Sequence, residues 1–466
     1  MPDIVVIGGG ISGLATAEAL QAKGLSVLVL ERQHQPGGNA ISERLGGGFL
    51  MEHGPTTFNA SVPEAVAHID RLGLLQTASD LGPDVRRRYL RDADRLTGIG
   101  TSPLSFLTSR YLSPKARLSL LSEGLRPQRR NGPEETIHAF ASRRFGREFA
   151  DKVIDPMAAG LFMGDSRKLS INGAFAKLAQ MEQTHGSVTR AILKARKGSA
   201  PGRHLYSWPG GIGTIPQTLA RRLGARVKTG VAVLSLRKSA TGFQIKTNTG
   251  TMQTRAVVLA VQPHVAAMLL EDIDPDGAGA AADIAAPPVN VVFFGLSRAQ
   301  VAHPLDGLGY LTTRDAPHDT GHDTGRVISG AQFFSTMYQG RAPDGHVAIA
   351  AYAGGARNPG LAGLSDADLT QAVWAELSRD LGISGTPVLS RTRRWALGLP
   401  QYTLGHADRV ARLRTSPARV PGLYVTGNFL SGVSVANCLD EAGKVASALA
   451  AALAPAQTGV PQSKTG

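Results

Sequence analysis

The first thirty residues carry the feature that most restricts how this 466-residue chain can fold. A short β-branched run, Ile4 to Ile7, leads into three glycines spaced as G-x-G-x-x-G, and residues 14–23 then have the composition of a helix. Residues 26–31 predict a second strand that ends on a carboxylate, 18 residues after the third glycine. This order predicts a Rossmann-type dinucleotide-binding unit rather than a glycine-rich turn in another α/β fold.

The glycines of this turn and the acid that follows it carry the expected binding chemistry. Glycine lets the backbone turn tightly and approach a pyrophosphate, and the helix that starts here presents its N-terminal amides to that anion. The carboxylate at the end of the second strand is placed to accept ribose hydroxyls. The candidate contacts are Gly8, Gly10, Ser12, Gly13 and Glu31.

Two further glycine-containing stretches indicate which dinucleotide is bound. Residues 36–42 contain a glycine pair, and residues 51–58 contain an acid before a Gly-Pro turn. Both resemble flavin-binding signatures of the amine oxidase and protoporphyrinogen oxidase superfamily, although either alone also fits a surface hairpin turn. Together, after the first fingerprint, they favour non-covalently bound FAD over NAD. The candidate FAD contacts here are Arg32, Gly37, Gly38, Asn39, Gly54, Pro55 and Thr56.

Residues 424–444 repeat the same pattern near the other end of the chain. Glycines interrupt an apolar, strand-like run, and a helix is predicted after them. We therefore expect this segment to return to the nucleotide-binding sheet, with its turn and the helix N-terminus facing the same ligand. The further FAD contacts expected from these returning segments are Val231, Trp395, Gly427, Asn428, Gly432, Val433 and Ser434.

The returns to the sheet predict a discontinuous domain organisation. The fold class is α/β, with a Rossmann-type FAD-binding domain, a mixed-sheet substrate domain and a helical insertion. The predicted FAD-binding segments are 1–75, 206–268 and 395–454, the substrate segments are 76–102 and 269–394, the helical segment is 103–195, and residues 455–466 are predicted to be a disordered tail.

The charge balance indicates an anionic partner. Lysine and arginine outnumber aspartate and glutamate by 50 to 36, which gives a formal net charge of +14. Such a balance suits nucleic acid, an anionic membrane surface or a substrate with carboxylates. No nucleic-acid-binding motif accompanies it, so we expect no nucleic-acid partner.

Cysteine content and hydropathy restrict the location. The single cysteine, Cys438, excludes a disulfide framework and a cysteine-built zinc site, and it fits a reducing compartment. We expect Cys438 to pack in the core rather than to hold a covalent flavin. The N-terminus lacks the features of a signal peptide, and no run of about 18 apolar residues suggests a membrane span. The expected location is the cytoplasm, with peripheral membrane attachment left open.

The predicted helical segment combines cations with apolar side chains. Between Ser105 and Ala150 there are nine basic residues and four acidic ones, with leucines interleaved. This combination fits helices that dock on an anionic membrane surface. An ordinary solvated basic face over a core helix is the alternative, and both remain open.

Several blocks outside the flavin signatures resemble the protoporphyrinogen oxidase family. The blocks are residues 164–170, 182–187, 335–337, 354–357, 400–402 and 427–443. The resemblance covers nearly the whole chain. It implies a six-electron oxidation of protoporphyrinogen IX to protoporphyrin IX by hydride transfer to FAD, with molecular oxygen as the acceptor. It also implies a helical domain used for membrane docking, and a homodimer is left open.

The resemblance also implies where the substrate binds. Arg88 matches an arginine that pairs with a ring propionate, Leu311 matches an apolar residue on a pyrrole face, and Tyr352 stands where an aromatic residue is usual. Two positions depart from the family pattern: Gln332 replaces an apolar residue and Thr56 replaces a frequent asparagine. A buried glutamine needs a partner. We assign no catalytic side chain, because the flavin carries the chemistry.

Other interpretations remain open. Coproporphyrinogen III, with four propionates, is an alternative substrate, and an amine oxidase or a carotenoid-type desaturase fits the same scaffold. A flavin-binding protein without turnover is an alternative of another class. Residues 317–326 contain Asp-Thr-Gly twice beside two histidines; we predict a solvated hairpin tip there and no metal site.

Overall fold

The computed structural model describes residues 2–93, 95–100, 108–129, 131–195, 204–314 and 326–454. The two Asp-Thr-Gly triplets, the tail predicted to be disordered and part of the basic helical segment, including Arg130, lie outside these residues.

The described chain contains both strands and helices along its whole length. The strands are β1 (Ile4–Ile7), β2 (Val27–Glu31), β3 (Ser42–Arg44), β4 (Leu50–Glu52), β5 (Phe58–Asn59), β6 (Arg87–Asp92), β7 (Arg95–Gly100), β8 (Leu205–Tyr206), β9 (Val227–Thr229), β10 (Val233–Ser239), β11 (Gly242–Thr247), β12 (Gly250–Thr254), β13 (Ala256–Leu259), β14 (Val289–Ser297), β15 (Gly307–Thr312), β16 (Ile328–Phe333), β17 (His346–Gly354), β18 (Leu389–Trp395) and β19 (Leu423–Val425). The α-helices are α1 (Ile11–Ala22), α2 (Pro63–Arg71), α3 (Pro114–Leu121), α4 (Ile137–Phe145), α5 (Arg147–Phe149), α6 (Asp155–Phe162), α7 (Ile171–Ala174), α8 (Ala176–His185), α9 (Val188–Ala195), α10 (Thr214–Leu223), α11 (Pro263–Leu270), α12 (Pro275–Ala282), α13 (Phe334–Met337), α14 (Asp366–Leu381), α15 (His406–Arg414), α16 (Ser416–Arg419) and α17 (Val435–Leu453). Short 3₁₀ turns occupy Gly46–Gly48, Leu75–Thr77, Ser122–Leu125, Gly224–Arg226, Arg298–Gln300 and Pro359–Gly363, and a π-helical turn occupies Ala150–Ile154.

A parallel sheet in the order β19-β13-β1-β2-β9 forms the nucleotide-binding core. All four residues of β1 are buried, as expected for a strand covered on both faces. Helices α1, α10 and α17 pack on one face. Helices α11 and α12, with an antiparallel sheet of β10, β11 and β12, pack on the other. The strands come from both ends and the middle of the chain, and the predicted α/β class is confirmed.

A second, larger sheet has the order β18-β14-β17-β16-β15-β6-β7. Its strands pair antiparallel except for β15 and β6, which are parallel. One face carries Tyr89, Tyr310 and Phe294 and packs against apolar residues of α14. On the opposite face, Phe49 and Met51 of the β3–β4 hairpin region cover one part. The predicted mixed sheet is therefore present, and its second face lies towards the nucleotide-binding part.

Helices α3 to α9 form a compact helical region beside this sheet. Their core contains Ile137, Phe140 and Phe162, and a smaller cluster joins Leu90 of the sheet to Tyr111. Within the described residues, no helix has both the length and the apolarity to cross a bilayer.

Candidate active site

The first glycine turn is tightly packed. The Gly8 amide donates to the Leu30 carbonyl over 2.8 Å, with Gly8 at φ 109°. A Cβ on Gly13 would lie 2.0 Å from the Gly8 carbonyl oxygen, so a side chain there has no room. Helix α1 begins after Gly10, which provides no side-chain cap, and its first turn contains no acid. The first amides of α1 are therefore open to an external anion.

The carboxylate of Glu31 is held beside this turn. Its Oε2 accepts from the Gly9 amide at 2.6 Å and its Oε1 accepts from the Gln33 amide at 2.7 Å. The Val231 amide donates to the Glu31 carbonyl at 2.9 Å, which brings Val231 to the same place. Each carboxylate oxygen has a further lone pair for a ligand hydroxyl. The neighbouring Arg32 is exposed.

The second glycine pair lies directly against the first turn. The Gly37 amide donates to the Gly9 carbonyl at 2.8 Å, and a Cβ on Gly38 would lie 3.1 Å from the Gly10 Cα. A Cβ on Gly54 would lie 2.4 Å from the Asn39 carbonyl oxygen. The structure thus brings together three segments that are well separated in sequence.

The Gly-Pro turn is joined to the larger sheet. The Trp395 indole donates to the His53 carbonyl at 2.7 Å, and the guanidinium of Arg393 lies 4.2 Å from the centre of the Trp395 ring. Burial lowers the pKa of His53, although Glu43, 2.8 Å from its Nε2, opposes the shift. Thr56 is buried and Pro55 is half-buried. The indole of Trp395 therefore anchors the turn, and the imidazole of His53 beside it is neutral at pH 7.

The C-terminal turn returns to the same region. The Ser434 side chain accepts from the Asn437 amide at 3.1 Å and caps α17, and a Cβ on Gly432 would lie 2.7 Å from Asn437 Cγ. Val433 packs against the helical region. Gly427 is buried and Asn428 is half-buried at the end of β19. In α17, burial raises the pKa of Cys438 to about 11, against a hydrogen bond with Ser12. The thiol is therefore protonated and packed in the core, as expected.

One contact beneath this turn was not anticipated. The Tyr402 hydroxyl donates to the Asn428 carbonyl, and the Tyr402 ring stacks on His406 with centroids 4.1 Å apart. Burial, with a smaller contribution from Arg409, lowers the pKa of His406 to about 4, so the stacked imidazole is neutral. The Pro-Gln-Tyr block marked this position in the sequence, but no local pattern indicated the contact with the turn.

These features fit FAD. An uncapped helix N-terminus can hold a pyrophosphate, a buried carboxylate can accept ribose hydroxyls, and glycine-lined segments leave room for close backbone approach. Among the described residues, no three histidine, cysteine, aspartate or glutamate side chains are grouped so as to hold a metal ion.

The four candidate substrate residues share one face of the larger sheet. Leu311 pairs with Leu90 and with Gly330, and Gly330 pairs with Tyr352. Paired residues point to the same face, and so do residues two apart on one strand. Arg88, two before Leu90, and Gln332, two after Gly330, therefore join Leu311 and Tyr352. Trp395 also lies on this face, through the pairing of Val291 with Tyr352 and Arg393.

The departure at Gln332 is linked to the aromatic position Tyr352. The Tyr352 hydroxyl donates to the Gln332 Oε1 at 2.8 Å, so the half-buried glutamine has the partner it requires. Leu311 lies against α6, where a Cβ on Gly160 would be 2.3 Å from its Cδ2. Arg88 is exposed. Leu311, Gln332 and Tyr352 are half-buried between the parts of the face covered by α6 and by the β3–β4 hairpin region.

Fold and site together define an FAD-dependent oxidoreductase, in which a dinucleotide-binding sheet adjoins a sheet that can hold a substrate. The chain belongs to the family of flavin containing amine oxidoreductases, whose model matches residues 11–450. The resemblance to protoporphyrinogen oxidases expected from the sequence is confirmed by the relatives.

The relatives include proteins named protoporphyrinogen oxidase and proteins named coproporphyrinogen III oxidase. The chain is 30% identical to the chloroplastic protoporphyrinogen oxidase of Oryza sativa subsp. japonica, with 96% of this chain and 87% of the relative covered. It is 26% identical to the coproporphyrinogen III oxidase of Bacillus subtilis (strain 168), over 95% of this chain and 96% of the relative. A solved structure from Exiguobacterium sp. 255-15 matches with a TM-score of 0.81 at 23% identity, over 96% of this chain and 98% of that chain, which shows the shared fold.

Proposed function

We propose that this protein oxidises a porphyrinogen to the porphyrin, with protoporphyrinogen IX as the first candidate substrate. The observation that carries the proposal is the single sheet face shared by Arg88, Leu311, Gln332 and Tyr352. That face offers an arginine for a carboxylate, an apolar contact for a pyrrole and an aromatic wall. The rice relative, whose name states this activity, supports the proposal.

The side chains bind and orient the substrate and the cofactor. The bound flavin would be the oxidant, accepting a hydride from a saturated bridge carbon of the substrate. Gly8, Gly10 and Gly13 with the α1 amides hold the pyrophosphate, and Glu31 holds the ribose. Arg88 pairs with a ring propionate, and Leu311 and Tyr352 exclude water from the ring faces. The residues expected around the ring system of the flavin are Gly54, Pro55, Thr56, Trp395, Gly427 and Asn428.

An anaerobic half-reaction tests the proposal directly. The purified flavoprotein is mixed with protoporphyrinogen IX, and separately with coproporphyrinogen III, while the visible flavin absorbance is followed. We expect rapid bleaching by at least one of them. Absence of bleaching by both, with bleaching by a primary amine instead, would move the assignment to an amine oxidase.

Two neighbouring arginines provide a matched pair of variants. Arg87 and Arg88 are both exposed on β6 but point to opposite faces, and Arg87 Nε lies 3.5 Å from Asp306. Arg88→Ala removes the contact with a carboxylate, so we expect flavin reduction at low substrate concentration to slow by about 10- to 100-fold. Arg87→Ala is the control. Equal rates of flavin reduction in the two variants would contradict a role for Arg88 in substrate binding.

Coproporphyrinogen III is the second candidate. The Bacillus subtilis relative carries that name, and a glutamine–tyrosine pair occupies the sheet face where the family resemblance implies apolar and aromatic residues. Both features favour a substrate whose ring edge is more polar than that of protoporphyrinogen IX.

We further propose that the helical region docks on an anionic membrane surface. Leu118, Leu121 and Leu125 are 68%, 65% and 85% exposed, and Ile192 and Leu193 are exposed on α9, which packs beside the Ser122–Leu125 turn. Exposed cations lie near them in the sequence, at Arg110, Lys115, Arg190 and Lys194. Not every cation in the segment is available, because Arg144, counted with them in the sequence, is fully buried.

Vesicle cosedimentation tests this surface. We expect binding to vesicles containing phosphatidylglycerol, and Leu121→Asp to weaken it by about tenfold, since one leucine side chain leaves the acyl boundary. Leu234→Asp is the control, because Leu234 is 51% exposed on β10, outside the helical region. Equal loss in both variants, or equal binding to neutral vesicles, would contradict the proposal.

A further inference from the structure

Gln332 and Tyr352 form a polar pair on the substrate face. One group of this pair, the Gln332 side-chain amide nitrogen, is not used in the bond between them. The Tyr352 hydroxyl uses the Gln332 Oε1, which fixes the orientation of the carboxamide. Among the described residues, no acceptor is bonded to the Gln332 Nε2, and this atom is not one of the buried side-chain atoms that lack a partner. The Nε2 amide is therefore accessible at the sheet face, with N–H donors left for a ligand.

The neighbours of Gln332 leave that space open. Across the ladder it pairs with Gly309 on one side and with Ala350 on the other. Neither residue carries a side chain long enough to reach the carboxamide. A larger residue cannot replace Gly309, because its φ is 138° and a Cβ would lie 2.0 Å from the Ala331 carbonyl oxygen.

Arg88 borders the same space from the other side. Arg87 pairs with Gly307 and Tyr89 pairs with Tyr310, so Leu308 and Gly309 of β15 both lie opposite Arg88, at an irregularity in the strand pairing. Two strand spacings, roughly 10 Å, separate the backbones of Arg88 and Gln332. Arg88 and Gln332 thus lie on the same sheet face on either side of Gly309, and both side chains carry donors suited to carboxylate oxygens.

We infer that Gln332 is a specificity-determining residue that donates a hydrogen bond to a substrate carboxylate other than the one held by Arg88, on a ring that carries vinyl in protoporphyrinogen IX. This inference rests on the proposed function. A vinyl group at that edge cannot accept a hydrogen bond and leaves the amide unpaired, whereas a propionate accepts it. Within the proposed porphyrinogen oxidation, this contact therefore raises kcat/KM for a tetracarboxylate such as coproporphyrinogen III relative to kcat/KM for protoporphyrinogen IX.

The decisive quantity is the ratio of kcat/KM for coproporphyrinogen III to kcat/KM for protoporphyrinogen IX. A hydrogen bond from a neutral donor to a charged acceptor corresponds to about tenfold or more, so Gln332→Leu is expected to lower the ratio by about that factor. Tyr352→Phe releases the carboxamide from its fixed orientation and is expected to lower the ratio less. Gln371→Leu, the same change at an exposed position of α14, is the control and leaves the ratio unchanged.

The outcomes separate this inference from the proposed function. A ratio for Gln332→Leu within about twofold of the parent, in a variant that retains FAD and its thermal midpoint, would overturn the role of Gln332 alone. If Gln332→Leu fails to fold, Gln332→Met serves, since it keeps the length of the side chain and removes the donor. Failure of the parent protein to be bleached by either porphyrinogen overturns the proposed function itself.

Discussion

Tyr402 shows how one residue outside the glycine turns can determine their geometry. It is 2% exposed and lies between Phe162, with ring centroids 5.9 Å apart, and His406. Because its ring is held from both sides, the hydroxyl bond to the Asn428 carbonyl fixes the backbone of the C-terminal turn. We therefore expect Tyr402 to act as a positioning residue for the turn that is proposed to contact the flavin, rather than as a catalytic residue.

Tyr402→Phe tests this role, since it keeps the packed ring and removes only the donor. Loss of a buried hydrogen bond costs about 1–3 kcal/mol, so we expect FAD to bind about 5- to 150-fold more weakly and its reduction potential to shift. Titration of the apoprotein with FAD, followed by flavin fluorescence, measures the first effect. Tyr338→Phe removes a comparable buried bond, to the Leu205 carbonyl at 3.2 Å, away from the turns. Equal weakening in the two variants would show a general loss of stability.

At the level of elements, a buried ion pair joins the helices of the proposed membrane-docking region. Arg144 of α4 and Glu123 of the turn after α3 are both fully buried. Glu123 also accepts from the Ser187 hydroxyl at 2.6 Å and the Thr189 amide at 3.0 Å, at the start of α9. Burial opposes its charge, but these hydrogen bonds and Arg144 lower the pKa of Glu123 to about 2. The carboxylate is therefore ionised and ties three elements together.

Arg144→Met leaves this carboxylate buried without its cation. We expect about 3–5 kcal/mol of destabilisation, seen as a lower midpoint in urea or thermal unfolding. The double variant Glu123→Leu with Arg144→Met is expected to lose less than Arg144→Met alone, because no unpaired charge remains. Arg147→Met, 84% exposed and 3.6 Å from Asp151, is the control with a small effect. Similar midpoints for Arg144→Met and Arg147→Met would contradict the role of the buried pair.

What could be read from the sequence depended on the range of the interactions involved. The turn at Gly8 to Gly13 is set by local backbone geometry, so the glycine spacing alone predicted it. Arg144 was counted as a surface cation, since its burial depends on Glu123 and on α9, which are distant in sequence. The Gln332–Tyr352 bond depends on the register of β16 and β17. The family resemblance marked a polar departure at Gln332 but could not supply its hydrogen-bond partner.

At the scale of the whole molecule, Glu52 is a buried link between the two sheets. It lies on β4 and accepts from the Ser42 hydroxyl and from the Ile212 amide at 3.0 Å. Arg341, from the segment between β16 and β17, lies 3.4 Å away. Burial is the largest effect and raises the pKa of Glu52 to about 7, against the opposing effects of Arg341 and the hydrogen bonds.

The raised pKa makes stability depend on pH in a defined direction. Below pH 4.5 the carboxyl is protonated in both states. Between pH 4.5 and about 7 the unfolded chain has released the proton that the native state still holds, so the contribution of Glu52 falls as pH rises, on the order of 3 kcal/mol in all. Glu52→Gln removes this dependence and keeps the hydrogen-bonding shape. We therefore expect its thermal midpoint, relative to the parent, to rise from pH 5 to about pH 7 and to level off towards pH 8. Glu64→Gln, at an exposed position, is the control. A difference between Glu52→Gln and the parent that stays constant over this range would show that Glu52 is ionised in the native protein throughout, with Arg341 outweighing the effect of burial.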